Sequence, residues 1–264
     1  LICGMKIQEY FGLDNILNSL FSFKENKVYL DKSHEEKLSI FILAGQSNMV
    51  GDGNIEEFDK SLNKEGIYVF DENYKWIIGK EPVCSNKVGP SISFASTLIE
   101  NNNNEPIGII NVAKGGTSIA QWLKNGNDNS LYKEMMKRTL ASSTQGEIKG
   151  LLFFQGEKDA EGGNTSHIEN WHLKFEEFVS DVRQDLKLDS LPVIFAQIGK
   201  GDELNWNKVK LSQEKVSIPL VTMIKTDDLD FQPKKIHFTT NGYIEIGRRF
   251  ALKYIEEFKT TPNK

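Results

Sequence analysis

The sequence predicts a three-layer α/β/α sandwich with a mainly parallel sheet of about five strands. Two observations carry that expectation. Short apolar, β-branched runs alternate with segments of helical period, the pattern of βαβ units. The runs are also continuously apolar rather than alternating, which is how strands buried on both faces read. With 264 residues, 39% hydrophobic and 26% charged, one large domain accommodates the pattern. There is no Pro/Gly/Ser-rich linker, no internal repeat and no apolar run long enough to span a bilayer.

Taken in order, Ile40 to Ala44 is the first core strand, ended by Gly45. Extended pieces at Gly66 to Phe70 and Lys75 to Ile78 are expected to form a hairpin or an excursion from the sheet. Helical period returns at Ser91 to Glu100 and a strand follows at Pro106 to Val112, with the polar run Asn101 to Asn104 as a solvated loop between them. A helix around Ser130 to Ser142 leads to the strongly apolar strand Ile148 to Phe154. A longer helix runs from about His167 to Leu186, then a strand Pro192 to Ile198, a helical stretch near Asn205 to Lys215 and a strand Pro219 to Ile224. The last helix begins near Thr239 or Thr240, either able to cap it, and carries Ile244, Phe250, Leu252 and Ile255 as apolar positions.

Composition narrows the function class. A net charge of −5 leaves no electrostatic footprint for nucleic acid. Two cysteines, Cys3 and Cys84, supply neither a disulfide framework nor zinc spacing. Residues 1–35 are expected to be an N-terminal extension, a tag or an export remnant, ahead of a catalytic domain at 36–264. Location, whether exported, at the cell surface or cytoplasmic, and oligomeric state stay open.

Chemistry concentrates where strands end. The segment FILAGQSNMVGDG, Phe41 to Gly53, delivers Ser47 just past the carboxyl end of the first strand, where open α/β sheets bind ligands. The second core strand opens into Lys114-Gly115-Gly116-Thr117 and the third into Gln155-Gly156-Glu157-Lys158-Asp159, all toward one rim. A glycine pair offers unobstructed N–H donors of the kind that hold a tetrahedral oxyanion, and the Gln155 amide is a further candidate donor. His237, just ahead of the last helix, suits a serine partner because imidazole takes and returns a proton near neutrality. His34, His167 and His172 lack such placement and read as structural or solvated.

GQSNM at Gly45 to Met49, KGGT at Lys114 to Thr117 with Trp122 following, QGEKDA at Gln155 to Ala160 and IHFTTNGYIEIGRRFA at Ile236 to Ala251 resemble the SGNH-type carbohydrate acetylesterases, in particular carbohydrate esterase family 6 and the sialate O-acetylesterase domain. Gly89 to Phe94 adds a further similar block, and the resemblance extends from about Leu38 to Phe258. It implies a flavodoxin-like SGNH hydrolase fold and removal of O-acetyl groups from carbohydrates, of the acetylxylan or sialate type, through an acetyl-serine intermediate. By the same resemblance Ser47 is the nucleophile and His237 the general base and acid. The N–H groups of Ser47 and of Gly115 or Gly116, with Gln155, form the oxyanion hole. Gln46, Asn48 and Trp122 are assigned to substrate, and no metal or organic cofactor is needed.

One position departs from the pattern. The family usually places aspartate three residues before the histidine, and here that residue is Lys234. A lysine cannot accept the imidazole N–H. Glu157, at a rigid strand end, is the favoured substitute, with Asp230 as the alternative and Asp227 and Asp228 nearby. Were no carboxylate to reach His237, the chain would be a weakened esterase or a noncatalytic glycan-binding relative. The absence of a GxSxG elbow argues against an α/β-hydrolase lipase, and the absence of Walker or GxGxxG loops against nucleotide chemistry.

Overall fold

The structure, a computed structural model, describes residues 37–101, 105–126, 128–162, 168–201, 204–233 and 236–259. The expected N-terminal extension, Lys234, His34 and His167 lie outside the described residues.

Seven strands, not five, form one sheet: β1 (Leu38–Gly45), β2 (Ile67–Phe70), β3 (Trp76–Ile78), β4 (Ile107–Asn111), β5 (Gly146–Phe154), β6 (Val193–Ala196) and β7 (Val221–Ile224), in the order β3-β2-β4-β1-β5-β6-β7. The additional pair is the hairpin: β2 runs parallel to β4, Ile67 opposite Ile107, and β3 pairs antiparallel at the edge. Its anchor is Trp76, buried against Phe70 at 4.9 Å between ring centroids. All other neighbours are parallel.

The helices are α1 (Ser47–Val50), α2 (Ser91–Asn101), α3 (Ser130–Ser142), α4 (Glu157–Glu161), α5 (Trp171–Leu186), α6 (Leu204–Gln213) and α7 (Thr240–Tyr254). Thr239 caps α7, its hydroxyl accepting the Gly242 N–H at 3.2 Å. Along α7 Phe250 is buried and Ile244 packs on the core, whereas Leu252 turns 38% of its surface to solvent.

Side chains alternate across the sheet, so successive strand residues serve opposite cores. Phe41 meets Phe94 of α2 and Tyr254 of α7, both edge-on at about 5 Å. Phe153 faces the other layer, against Trp171, Phe175 and Phe178 of α5, with Trp122 and Tyr132 completing the cluster. Burying a ring of this size contributes about 1.5–3 kcal/mol.

The strands that follow β1 fall first on its β4 side and then on its β5 side, so the sheet's switch point lies at the carboxyl end of β1. Ligands bind in such a crevice in open α/β sheets. Gly45 makes the exit there: its φ of +134° is left to glycine, and a Cβ would sit 2.1 Å from the Phe154 carbonyl oxygen.

Candidate active site

Gln46 is extended and Ser47 opens the short helix α1, so the turn lifts the serine hydroxyl off the end of β1. After β7 the chain returns over this rim and places His237 beside it. His237 Nε2 lies 2.9 Å from Ser47 Oγ. On the far side of the ring, Nδ1 lies 3.2 Å from Asp52 Oδ2, with both side chains about a quarter exposed. An ionised carboxylate only accepts, so Nδ1 carries the proton toward Asp52 and Nε2 is left to accept from the Ser47 hydroxyl. A hydroxyl, an imidazole and a carboxylate in that order can activate the oxygen as a nucleophile.

Asp52 stands where sequence reasoning expected Glu157 or Asp230. Contacts from two other segments help to hold it. Gly53 pairs with Val88 through reciprocal 3.0 Å hydrogen bonds, which bend the segment after α1 back over the rim. The Gln232 amide donates to the Asp52 carbonyl at 2.8 Å and lies 3.4 Å from Oδ2, while the Gln232 main-chain N–H donates to the His237 carbonyl at 2.8 Å. One glutamine thus registers the acid against the histidine. Asp230 is exposed and offers its main-chain carbonyl to Thr239, Asp227 pairs with Lys210 and Asp228 with Arg249.

Gly115 and Gly116 occupy an exposed turn after β4, and a Cβ on Gly115 would lie 3.8 Å from Ser47 Cβ. Gly116 has a φ of +72°, which favours glycine. Among the described residues the N–H groups of Ser47, Gly115 and Gly116 meet no acceptor in the protein.

The sequence matches the family described as carbohydrate esterase, sialic acid-specific acetylesterase, over residues 37–256. This chain belongs to that family. A protein described as a probable carbohydrate esterase of Arabidopsis thaliana is 30% identical over 83% of this chain and 91% of its own length. A crystal structure of an Arabidopsis thaliana protein superposes with a TM-score of 0.76 at 28% identity, covering 84% of this chain and 99% of that one. The fold is also shared with a carbohydrate acetylesterase from Xanthomonas citri, at a TM-score of 0.65, 20% identity and coverage of 83% and 56%. NanS gives 0.66, 16%, and 86% and 99%.

In this carbohydrate esterase several residues expected at the substrate are instead internal. Trp122 is fully buried, its ring edge-on to Phe153 and its indole N–H 3.2 Å from Thr117 Oγ1. Trp171, Trp206 and Trp76 are core residues as well. Gln155, also fully buried, directs its amide N–H groups at the Thr117 carbonyl (2.9 Å), Asp159 Oδ2 (2.5 Å) and Gln46 Oε1 (3.2 Å), so they are spent inside the turn rather than offered to an oxyanion. Gln46 is 2% exposed and its Oε1 also faces the Lys158 N–H at 3.1 Å. Asn48 is fully buried. His172 is structural, its Nδ1 3.0 Å from Ser212 Oγ.

Glu157 begins α4 with its carboxyl fully buried, and Oε1 accepts from Asn48 Nδ2 at 2.5 Å. Burial pushes its pKa from 4.5 up to about 7, against the lowering effect of the Asn48 hydrogen bond and with Asp159 and Glu161 adding to the rise. The folded chain therefore keeps a proton that the unfolded chain has already released. Stability is lost as pH rises from about 4.5 through about 7. Glu157→Gln removes that loss. Its melting temperature, relative to wild type, is expected to be higher by a few degrees at pH 8 than at pH 5, whereas an equal difference at the two pH values would mean the carboxyl is already ionised at pH 5.

Proposed function

We propose that this carbohydrate esterase is a serine O-acetylesterase acting on acetylated sugars through an acetyl-serine intermediate. The single observation that carries the reading is the unbroken chain from Ser47 Oγ through His237 to Asp52. Ser47 is the nucleophile, His237 the general base and acid, and Asp52 the carboxylate that fixes the tautomer and stabilises the imidazolium.

His237 Nε2 takes the Ser47 proton as Oγ attacks the acetyl carbonyl carbon. The carbonyl oxygen becomes an oxyanion held by the N–H groups of Ser47, Gly115 and Gly116. The C–O bond to the sugar then breaks, and the sugar oxygen leaves with the proton from His237. Water, deprotonated by the same nitrogen, attacks the acetyl-serine. Acetate departs and Oγ regains its proton. The electrostatic demand is met by main-chain donors already present in the turns at the sheet's rim before the charge develops.

The substrate class is O-acetylated carbohydrate. The family's description supports acetylated sialic acid as the first substrate to test, with acetylated xylan as the alternative. The deciding experiment measures acetate release from p-nitrophenyl acetate, acetylated sialic acid and acetylated xylan, with acid-quenched protein digested for mass spectrometry. The expected result is release together with an acetyl adduct on the Ser47 peptide. Release without any adduct on that peptide would point to direct attack by water and refute the covalent route.

A further inference from the structure

The Ser–His–Asp chain makes no use of Glu157, although this carboxyl lies one side chain away from Ser47. Its partner Asn48 is fully buried and three of its four polar directions are used. Nδ2 donates to Glu157 Oε1 at 2.5 Å and faces the Ile236 carbonyl at 3.2 Å, while Oδ1 accepts from the Tyr243 hydroxyl at 2.8 Å. Asn48 adjoins Ser47 in the chain, and Ile236 adjoins His237. One amide therefore bridges the turn that carries the hydroxyl and the loop that carries the imidazole. Its orientation is set by its neighbours: reversed, Oδ1 would face the Ile236 carbonyl, two acceptors together, with the carboxyl as a third once Glu157 is ionised.

We infer that Glu157 is a positioning residue, whose carboxyl acts through Asn48 to hold the Ser47 turn in register with the His237 loop. This rests on the serine-esterase reading above. The second carboxyl oxygen, Oε2, is buried with no hydrogen-bond partner. Burying an incompletely paired carboxyl is costly, and a carboxyl that served packing alone would be replaced at less cost by an apolar side chain. What the carboxyl supplies is an acceptor that selects one orientation of Asn48. A role as the orienting acid of His237 is already filled by Asp52. A metal-ligand role has no support among the described residues, which contain no cluster of three or more His, Cys, Asp or Glu able to hold an ion.

The test compares Glu157→Leu, Glu157→Gln and Tyr243→Phe with wild type, reading kcat and KM on p-nitrophenyl acetate and the rate at which phenylmethylsulfonyl fluoride labels Ser47. Sub-ångström register decides whether a nucleophile is in attack geometry, so Glu157→Leu is expected to lose about 10²-fold in kcat and labelling rate with KM nearly unchanged. Glu157→Gln keeps an acceptor for Asn48 and stays within about threefold of wild type, and Tyr243→Phe, which removes one of the amide's anchors, loses about tenfold. Near-ultraviolet circular dichroism verifies the fold of each variant, and Tyr243→Phe decides the matter should the leucine variant not fold. Wild-type labelling rates in folded Glu157→Leu, or in Tyr243→Phe where the leucine variant does not fold, would overturn the inference, as would a loss in Glu157→Gln as deep as that in Asp52→Asn. No labelling of Ser47 in folded wild-type protein would instead overturn the esterase reading, and the inference with it.

Discussion

Asp52→Asn is expected to lower kcat/KM on an acetylated sugar by about 10⁴-fold while the protein stays folded. The carboxylate does two things that an amide cannot do together. It accepts the Nδ1 proton, which leaves Nε2 free for the Ser47 hydroxyl, and it offsets the positive charge that develops on the ring. An asparagine that turned its NH2 group to His237 would enforce the opposite tautomer and place an N–H against the serine proton. Turning its oxygen instead would keep an acceptor for Nδ1, at the oxygen position that the Gln232 amide also approaches, but would leave the imidazolium without a compensating negative charge. KM is expected to change little, because Asp52 acts on the ring and not on the sugar. Steady-state kinetics with acetate detection checks this, beside Glu157→Gln as the control. A loss smaller than about tenfold would place the orienting acid elsewhere. Glu157 was the acid favoured from sequence and Asp52 was not among the candidates, yet Asp52 touches the imidazole and Glu157 touches Asn48.

Ser47→Ala is expected to remove about 10⁶ of turnover, the loss found when the nucleophile of such a unit is deleted. The substitution deletes a single oxygen from a partly exposed side chain, so the fold has no reason to change. What persists is binding: the folded alanine variant should still hold an acetylated sugar, a complex detectable by saturation-transfer NMR or calorimetry. That separates two functions which the sequence alone left side by side. Turnover in wild type with binding retained in Ser47→Ala identifies an enzyme whose chemistry lies in one hydroxyl. Binding by both with turnover by neither would identify a glycan-binding protein on an esterase scaffold, and unchanged acetate release in Ser47→Ala would move the nucleophile to another residue.

Much of this molecule is local, and that part was legible in the sequence. Ile40 to Ala44 and Leu151 to Phe154 read as buried strands, because short continuous apolar runs bounded by glycine satisfy their backbone in a sheet covered on both faces. Ser47, the glycine pair and His237 follow because strand ends, short turns and a threonine-capped helix are written within a few residues of one another. The edge hairpin was ambiguous for a physical reason: strands of only four and three residues are stabilised by pairing with β4 and by burial of Trp76, neither of which local sequence states. Trp122 has the chemistry of a sugar platform and the position of a core residue, and only packing against Phe153 separates the two. Gln155 likewise has the chemistry of an oxyanion donor, but neighbours from three segments use up its N–H groups.

The sequence by itself determined the α/β class, the order of the core strands along the chain and the two residues that meet as hydroxyl and imidazole. Tertiary structure alone decided the carboxylate. Asp52 lies five residues beyond Ser47, inside the same glycine-rich segment, and the glycines on either side of it were the available signal that this stretch folds back sharply. Which acid meets a histidine 185 positions later (237 − 52) depends on the Gly53–Val88 bridge and on Gln232, contacts made between segments far apart in sequence. Residue type and spacing encode what a side chain can do; the closing of the sheet encodes which neighbour it does it with.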